Sequence, residues 1–173
     1  MQFFSGFSLQ NEAYLFANYI KDTEYTLCGF SYGAIFALEE TLQHLKQGIR
    51  VDSLILLSPA FFQDKLKKFQ RLQVLSYQKN KDAYMEQFLS ACFAPYSAKI
   101  VEQKETKVEE LEELLTYQWS IEDLTFIEQS GVKIEVYLGG EDKIIDAQKA
   151  KDFFLQYSTV TYIKDANHFL QIN

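Results

Sequence analysis

Short, nearly unbroken apolar runs alternate along this chain with stretches of helical periodicity. Gln2 to Phe4 reads as a short buried strand, Ser5-Gly6-Phe7-Ser8 as a turn, and Asn11 to Lys21 as a helix. Tyr25 to Cys28 is a second strand. After it Ile35, Leu38, Leu42 and Leu45 recur at i, i+3, i+7 and i+10, one face of a helix that Gly48 ends. Val51 to Leu57 is apolar almost throughout, the pattern of a strand covered on both faces.

Residues 61 to 130 read differently, as consecutive helices. Asp82 is placed to cap a helix running to Phe93 before Pro95, Thr106-x-x-Glu109 forms a capping box, and Ser120-x-x-Asp123 opens a helix that stops at Gly131. Alternation then resumes with a strand from Ile134 to Leu138, a helix capped by Asp146, and a strand from Val160 to Ile163. The expected fold is α/β, with about five mainly parallel strands and the 61–130 segment inserted as a helical cap over the strand C-termini. Strands in sequential order with right-handed crossovers put every crossover on one face. The other face then needs the cap or a second subunit, as in a homodimer.

A length of 173 residues fits one domain, 1–173. Cytoplasmic residence is expected, because no apolar window has membrane length and Met1 to Gly6 lacks the marks of a secretory leader. Cys28 and Cys92 lack metal-ligand spacing and read as buried thiols, so neither metal nor cofactor is expected. A net charge of −7 argues against nucleic acid or an anionic membrane as partner. Against that background Lys65, Lys67, Lys68 and Arg71 stand out, sharing one helical arc with Phe62, Leu66 and Phe69 opposite. They suit an acidic partner protein. The Glu-rich run Glu102, Glu105, Glu109, Glu110, Glu112 and Glu113 reads as a solvated face.

The candidate chemistry centres on Gly29-Phe30-Ser31-Tyr32-Gly33, a G-x-S-x-G pentapeptide after a short apolar run. In such a nucleophile elbow a strand turns sharply into a helix and lifts the Ser hydroxyl clear of the sheet. Gly29 and Gly33 remove side chains that would collide across the turn. A Ser hydroxyl needs a base to take its proton and a carboxylate to orient that base. Of the two histidines, His44 shares a polar helix arc with Glu40, whereas His168 follows the last strand and is the expected base. Asp142 is the expected acid; Glu141 and Asp165 compete less well, and Asp146 is better explained as a helix cap. The order Ser31, Asp142, His168 is that of α/β-hydrolases. Backbone N–H groups of Tyr32 and, from the Ser5-Gly6-Phe7 turn, Phe7 are the expected oxyanion donors.

Taken together, Phe4-Ser5-Gly6-Phe7 with Asn11-Glu12, the Gly29-to-Ala34 elbow, Gly131 to Val136 with Asp142 after it, and Asn167-His168 resemble the short pimeloyl-ACP methyl ester esterases of the BioV type, compact relatives of the BioH esterases. The resemblance spans essentially the whole chain. It implies a minimal α/β-hydrolase that hydrolyses the methyl ester of pimeloyl-ACP to pimeloyl-ACP and methanol on the way to biotin. The acidic partner would then be acyl carrier protein. The chain departs from larger α/β-hydrolases in lacking the first two strands and one strand before the elbow. Ser5-Gly6 also stands where His-Gly is usual.

Overall fold

The computed structural model describes residues 1–20 and 23–173. Along the chain the elements are β1 (Gln2–Phe4), β2 (Leu9–Gln10), a 3₁₀ turn (Glu12–Phe16), β3 (Thr26–Phe30), α1 (Gly33–Lys46), β4 (Ser53–Leu57), α2 (Lys67–Lys79), α3 (Lys81–Phe93), β5 (Glu102–Gln103), α4 (Val108–Thr116), α5 (Ile121–Gln129), β6 (Lys133–Gly139), α6 (Ala147–Phe154) and β7 (Thr159–Ile163). Among the described residues, five strands form one sheet in the order β1-β3-β4-β6-β7, every neighbouring pair parallel. The register sets Phe4 beside Gly29, Phe30 beside Leu57, Leu57 beside Tyr137 and Gly139 beside Ile163. The loops carrying Phe7, Ser31, Asp142 and His168 therefore all leave the same edge, outside the carboxyl ends of the strands, where ligands bind in open α/β sheets.

Period-two alternation divides each central strand between two cores. Leu27, Leu54, Leu56, Val136 and Leu138 pack with α1, α5 and α6, whereas Cys28, Phe30, Ile55 and Leu57 join a second cluster on the opposite face. Covering both faces is what makes β4 read as a continuous apolar run. The sequential strand order is as expected, but the placement of crossovers is not. The 3₁₀ turn sits on the face opposite α1, with Phe16 against Phe30 at 4.7 Å between ring centroids. Phe169 and Leu170 from the C-terminal segment and Cys92 and Phe93 from α3 complete that layer. Part of this cover comes, as expected, from the cap segment through α3, and the rest from the 3₁₀ turn and the C-terminal segment.

Other expectations shift locally. The helix expected from Asn11 to Lys21 is represented by the short Glu12–Phe16 turn, and Lys21 lies outside the described residues. Asn80, not Asp82, caps α3, its Oδ1 accepting the Ala83 N–H at 3.1 Å. The box expected at Thr106 lies one residue on, where Glu110 accepts the Lys107 N–H at 2.8 Å. β5, within the segment that read as purely helical, pairs antiparallel with β2, which lies between the expected turn and helix near the N-terminus. Of the 61–130 segment, α2 packs against both α3 and α4, while α5 lies against α1 and β6 as the crossover into that strand.

Cys28 and Cys92 are free and buried. Loss of solvent pushes the Cys28 thiol up to about 12, and burial followed by the nearby Asp142 charge holds Cys92 well above its ordinary value. Because the thiolate is the reactive form, neither should be alkylated by iodoacetamide in the folded protein at neutral pH, and both should react in urea. Rapid modification of the native protein, read by mass spectrometry, would show that these cores open.

Candidate active site

The elbow is built by close packing around a strained residue. Ser31 follows β3 with φ at 52°, a left-handed conformation that costs a non-glycine residue about 1–3 kcal/mol unless its surroundings impose it. Here they do. The Ser31 N–H donates to Leu57 O at 2.9 Å, and its carbonyl accepts N–H groups from Ala34 and Ala60, each at 3.1 Å. A Cβ on Gly29 would lie 2.2 Å from Gly33 O, and one on Gly33 only 2.1 Å from Phe4 O. Bare backbone at these two positions lets α1 start directly against β1 and β3.

Asp142 and His168 converge on this serine from the loops after β6 and β7. His168 Nε2 stands 3.0 Å from Ser31 Oγ, and His168 Nδ1 stands 2.6 Å from Asp142 Oδ2. The other carboxylate oxygen, Oδ1, accepts the N–H groups of Ile144 at 2.7 Å and Ile145 at 3.1 Å, so the acid is clamped with one oxygen left for the imidazole. With Nδ1–H donating to Asp142, Nε2 presents a lone pair to the serine hydroxyl, the arrangement a general base requires. His168 is fully buried, its ring 5.1 Å from that of Phe30. Asn167 fixes the turn before it by donating from Nδ2 to Phe93 O at 2.7 Å and accepting the Gln171 N–H at 3.0 Å. Sequence reasoning quoted Asn167 in the Asn167-His168 motif but gave it no role of its own.

The competing carboxylates are occupied elsewhere. Asp146 caps α6, accepting the Lys149 N–H at 3.1 Å, and that bond holds its carboxyl below the usual range. Asp165 is exposed. His44 pairs with Glu40 at 3.1 Å on α1.

The two backbone donors expected at an oxyanion site are unused. The N–H groups of Phe7 and Tyr32 have no hydrogen-bond partner among the described residues, whereas Gly6 N–H is bonded to Glu12. Both side chains are buried: the Phe7 ring contacts Tyr32, Tyr77 and Phe88 at 6.0–6.3 Å between centroids. The Tyr32 hydroxyl donates to Glu113 Oε2 on α4 at 2.7 Å, and burial followed by that bond pushes its ionisation above the ordinary range. Glu113 stays exposed, as expected for the acidic run, and through this bond it also ties α4 to the elbow.

A cavity of about 530 Å³ lies between the cap helices and the Asp142 loop, lined by Phe62, Phe69, Tyr84, Phe88, Leu111 and Ile144, with Asp142 on its wall. A larger cleft of about 710 Å³ between α3 and residues 98–105 holds none of Ser31, Asp142 and His168. The smaller cavity reaches Asp142, while Ser31 and His168 are not among its lining residues. The basic cluster divides around it. Lys67, Lys68 and Arg71 are exposed on α2, but Lys65 precedes that helix, pairs with Asp64 at 3.2 Å and lines the cavity. Leu66, expected to point into the cap, is 78% exposed, because helical phase does not extend upstream of Lys67.

No family model matches the chain, and no curated protein matches it. Solved structures do. The chain superposes on BioG from Haemophilus influenzae with a TM-score of 0.59 at 13% identity, over 98% of this chain and 88% of that one. Est816, described as an N-acyl homoserine lactone degrading enzyme, gives a TM-score of 0.60 at 14% identity over 98% and 86%. The carboxylesterase CesB from Bacillus subtilis gives 0.59 at 14% identity over 85% of this chain but only 54% of its own, so the chain spans about half its length. These likenesses show the α/β-hydrolase fold.

Proposed function

We propose that the chain is a serine carboxylesterase acting on a carrier-bound methyl ester, with pimeloyl-ACP methyl ester as substrate and pimeloyl-ACP and methanol as products. A fold of this kind hosts many reactions, so the reading rests on the site. The observation that carries it is the continuous relay from Ser31 Oγ to His168 Nε2 at 3.0 Å and from His168 Nδ1 to Asp142 at 2.6 Å. His168 takes the serine proton as Ser31 attacks the ester carbonyl, and the Phe7 and Tyr32 N–H groups receive the oxyanion. Protonated His168 then gives its proton to the departing methoxide. Water, deprotonated by the same imidazole, cleaves the acyl-enzyme and restores Ser31.

The substrate assignment draws on the sequence resemblance and on two features of the cap. The aromatic and aliphatic cavity suits an acyl chain, and Lys67, Lys68 and Arg71 alternate on α2 with exposed Leu72 and Leu75. That mixed face suits an acidic carrier protein such as ACP. The thioester joining chain to carrier is the easier bond to break, so its survival depends on placement: the cavity must carry the chain past it and set the distal ester at Ser31. A fluorophosphonate probe should label the wild-type protein at Ser31 and leave Ser31→Ala unlabelled. Absence of label on the folded wild type would mark the elbow as a non-catalytic relic.

Carrier docking makes its own prediction. Attraction between Lys67, Lys68, Arg71 and an acidic surface acts over about 8 Å at physiological salt, so KM for the ACP-bound ester should rise with ionic strength. Turnover of a small neutral ester should barely respond. Reversing Lys68 and Arg71 to Glu should reproduce the high-salt behaviour on the ACP substrate alone. Equal losses on both substrates would point to a disturbed cap, and no loss on either would leave α2 as solvated surface.

A further inference from the structure

Nothing in the proposed mechanism uses Glu12, yet its carboxylate is fully buried, a costly position for an acid without a compensating task. Oε1 accepts the Gly6 N–H at 2.7 Å, the short distance of a charge-assisted bond, and Oε2 has no partner among the described residues. Gly6 immediately precedes Phe7, whose N–H has no partner among the described residues and whose ring packs 6.2 Å from that of Tyr32, the residue after Ser31.

The direction of that N–H depends on two peptide planes. Gly6 carbonyl accepts the Leu9 N–H at 3.1 Å. In a trans peptide the C=O and N–H point in opposite directions, so this bond aims the Phe7 N–H away from Leu9. The preceding plane, Ser5–Gly6, is gripped by Glu12. Between the planes lies a glycine whose torsions no Cβ restrains. Releasing either plane lets the donor swing. On the far side Ser8 is already anchored, its hydroxyl donating to Lys104 O at 2.8 Å and its carbonyl accepting Lys104 N–H at 3.0 Å. Glu12 supplies the matching anchor on the near side.

We infer that Glu12 is a positioning residue for the oxyanion site, its side-chain oxygen holding the Ser5–Gly6 peptide so that the Phe7 N–H faces the developing charge. The inference rests on the serine-esterase reading above. It acts through geometry, so reach matters more than charge.

The test compares Glu12→Asp with Glu12→Gln on a p-nitrophenyl ester, with Ser31→Ala as control. Glu12→Asp keeps the charge but is one methylene too short, and should lower kcat by about 10², the scale of losing one oxyanion donor, with KM little changed. Glu12→Gln keeps an acceptor at the same reach and should restore kcat to within about fivefold of wild type, since only the charge assistance is lost. Exchange of the Gly6 amide, followed by NMR, should be slow in wild type and Glu12→Gln and fast in Glu12→Asp. Equal kcat in Glu12→Asp and wild type, equal Gly6 exchange in the two, or a Glu12→Gln loss as large as that of Glu12→Asp would each overturn the inference. A wild type no more active than Ser31→Ala would overturn the esterase reading instead, and Gly6 exchange would still decide whether Glu12 holds the peptide.

Discussion

Ser31→Ala should lower ester turnover by about 10³ or more without unfolding the protein, because removing one member of a triad disables the whole unit. His168→Ala should be as severe, and the double variant hardly worse than either single one. The basis is the relay itself: Ser31 is 3% exposed and His168 fully buried, so bulk water has little access with which to replace either group. Asp142→Asn belongs to the same class. Its side-chain amide would donate toward Nδ1 and favour the tautomer that leaves Nε2 protonated, an inversion that costs about 10⁴ where it has been measured in other serine hydrolases. Neither competing carboxylate is placed to substitute, since Asp146 is committed to the α6 cap and Asp165 is exposed. Steady-state rates on one small ester, with circular dichroism to confirm folding, decide the matter. Activity within tenfold of wild type in Ser31→Ala would remove the nucleophile assignment, and Asp146→Asn proving more damaging to rate than Asp142→Asn would move the acid.

Gly33→Ala should be among the most damaging single methyl additions in the molecule. The added Cβ would stand 2.1 Å from Phe4 O and 2.5 Å from Ser5 O, both backbone atoms that no rotamer change can clear. α1 would have to withdraw from β1, pulling Ser31 and Tyr32 with it. Overpacking against backbone costs about 3 kcal/mol or more, enough to remove much of the stability of a domain this size. Gly48→Ala is the control: φ is 71° but space is open, so only local strain of about 1 kcal/mol is expected. Urea denaturation of the two variants would separate these effects. Equal midpoints would mean that α1 and β1 approach less closely than the elbow requires.

The elbow was legible because its geometry forces composition: two glycines must flank the serine for strand and helix to meet, and no other residues fit. Asp142 and His168 followed because parallel topology delivers successive loops to one sheet edge in chain order. Strand order followed from the alternation of apolar runs and helices. What escaped was set by packing between distant segments. The 3₁₀ turn lies on the face opposite α1 because Phe16 fits against Phe30 and Phe169, a contact that no local period encodes. The β2–β5 pair is two residues long on each strand, too short to show alternation. Lys65 and Leu66 were misplaced by extending the α2 phase upstream of its first residue. Glu113 read as part of a solvated acidic run and Glu12 entered only beside Asn11 in the family resemblance; only the fold brings Glu12 to Gly6 N–H and Glu113 to the Tyr32 hydroxyl.

The most direct test of the account is to incubate the purified protein with pimeloyl-ACP methyl ester and weigh the intact carrier by mass spectrometry. The account predicts a product lighter by one methylene, the free carboxylic acid still joined to ACP through its thioester, and no conversion by Ser31→Ala. Release of the acyl chain from the carrier with its methyl ester intact would contradict it, assigning Ser31 to the thioester instead.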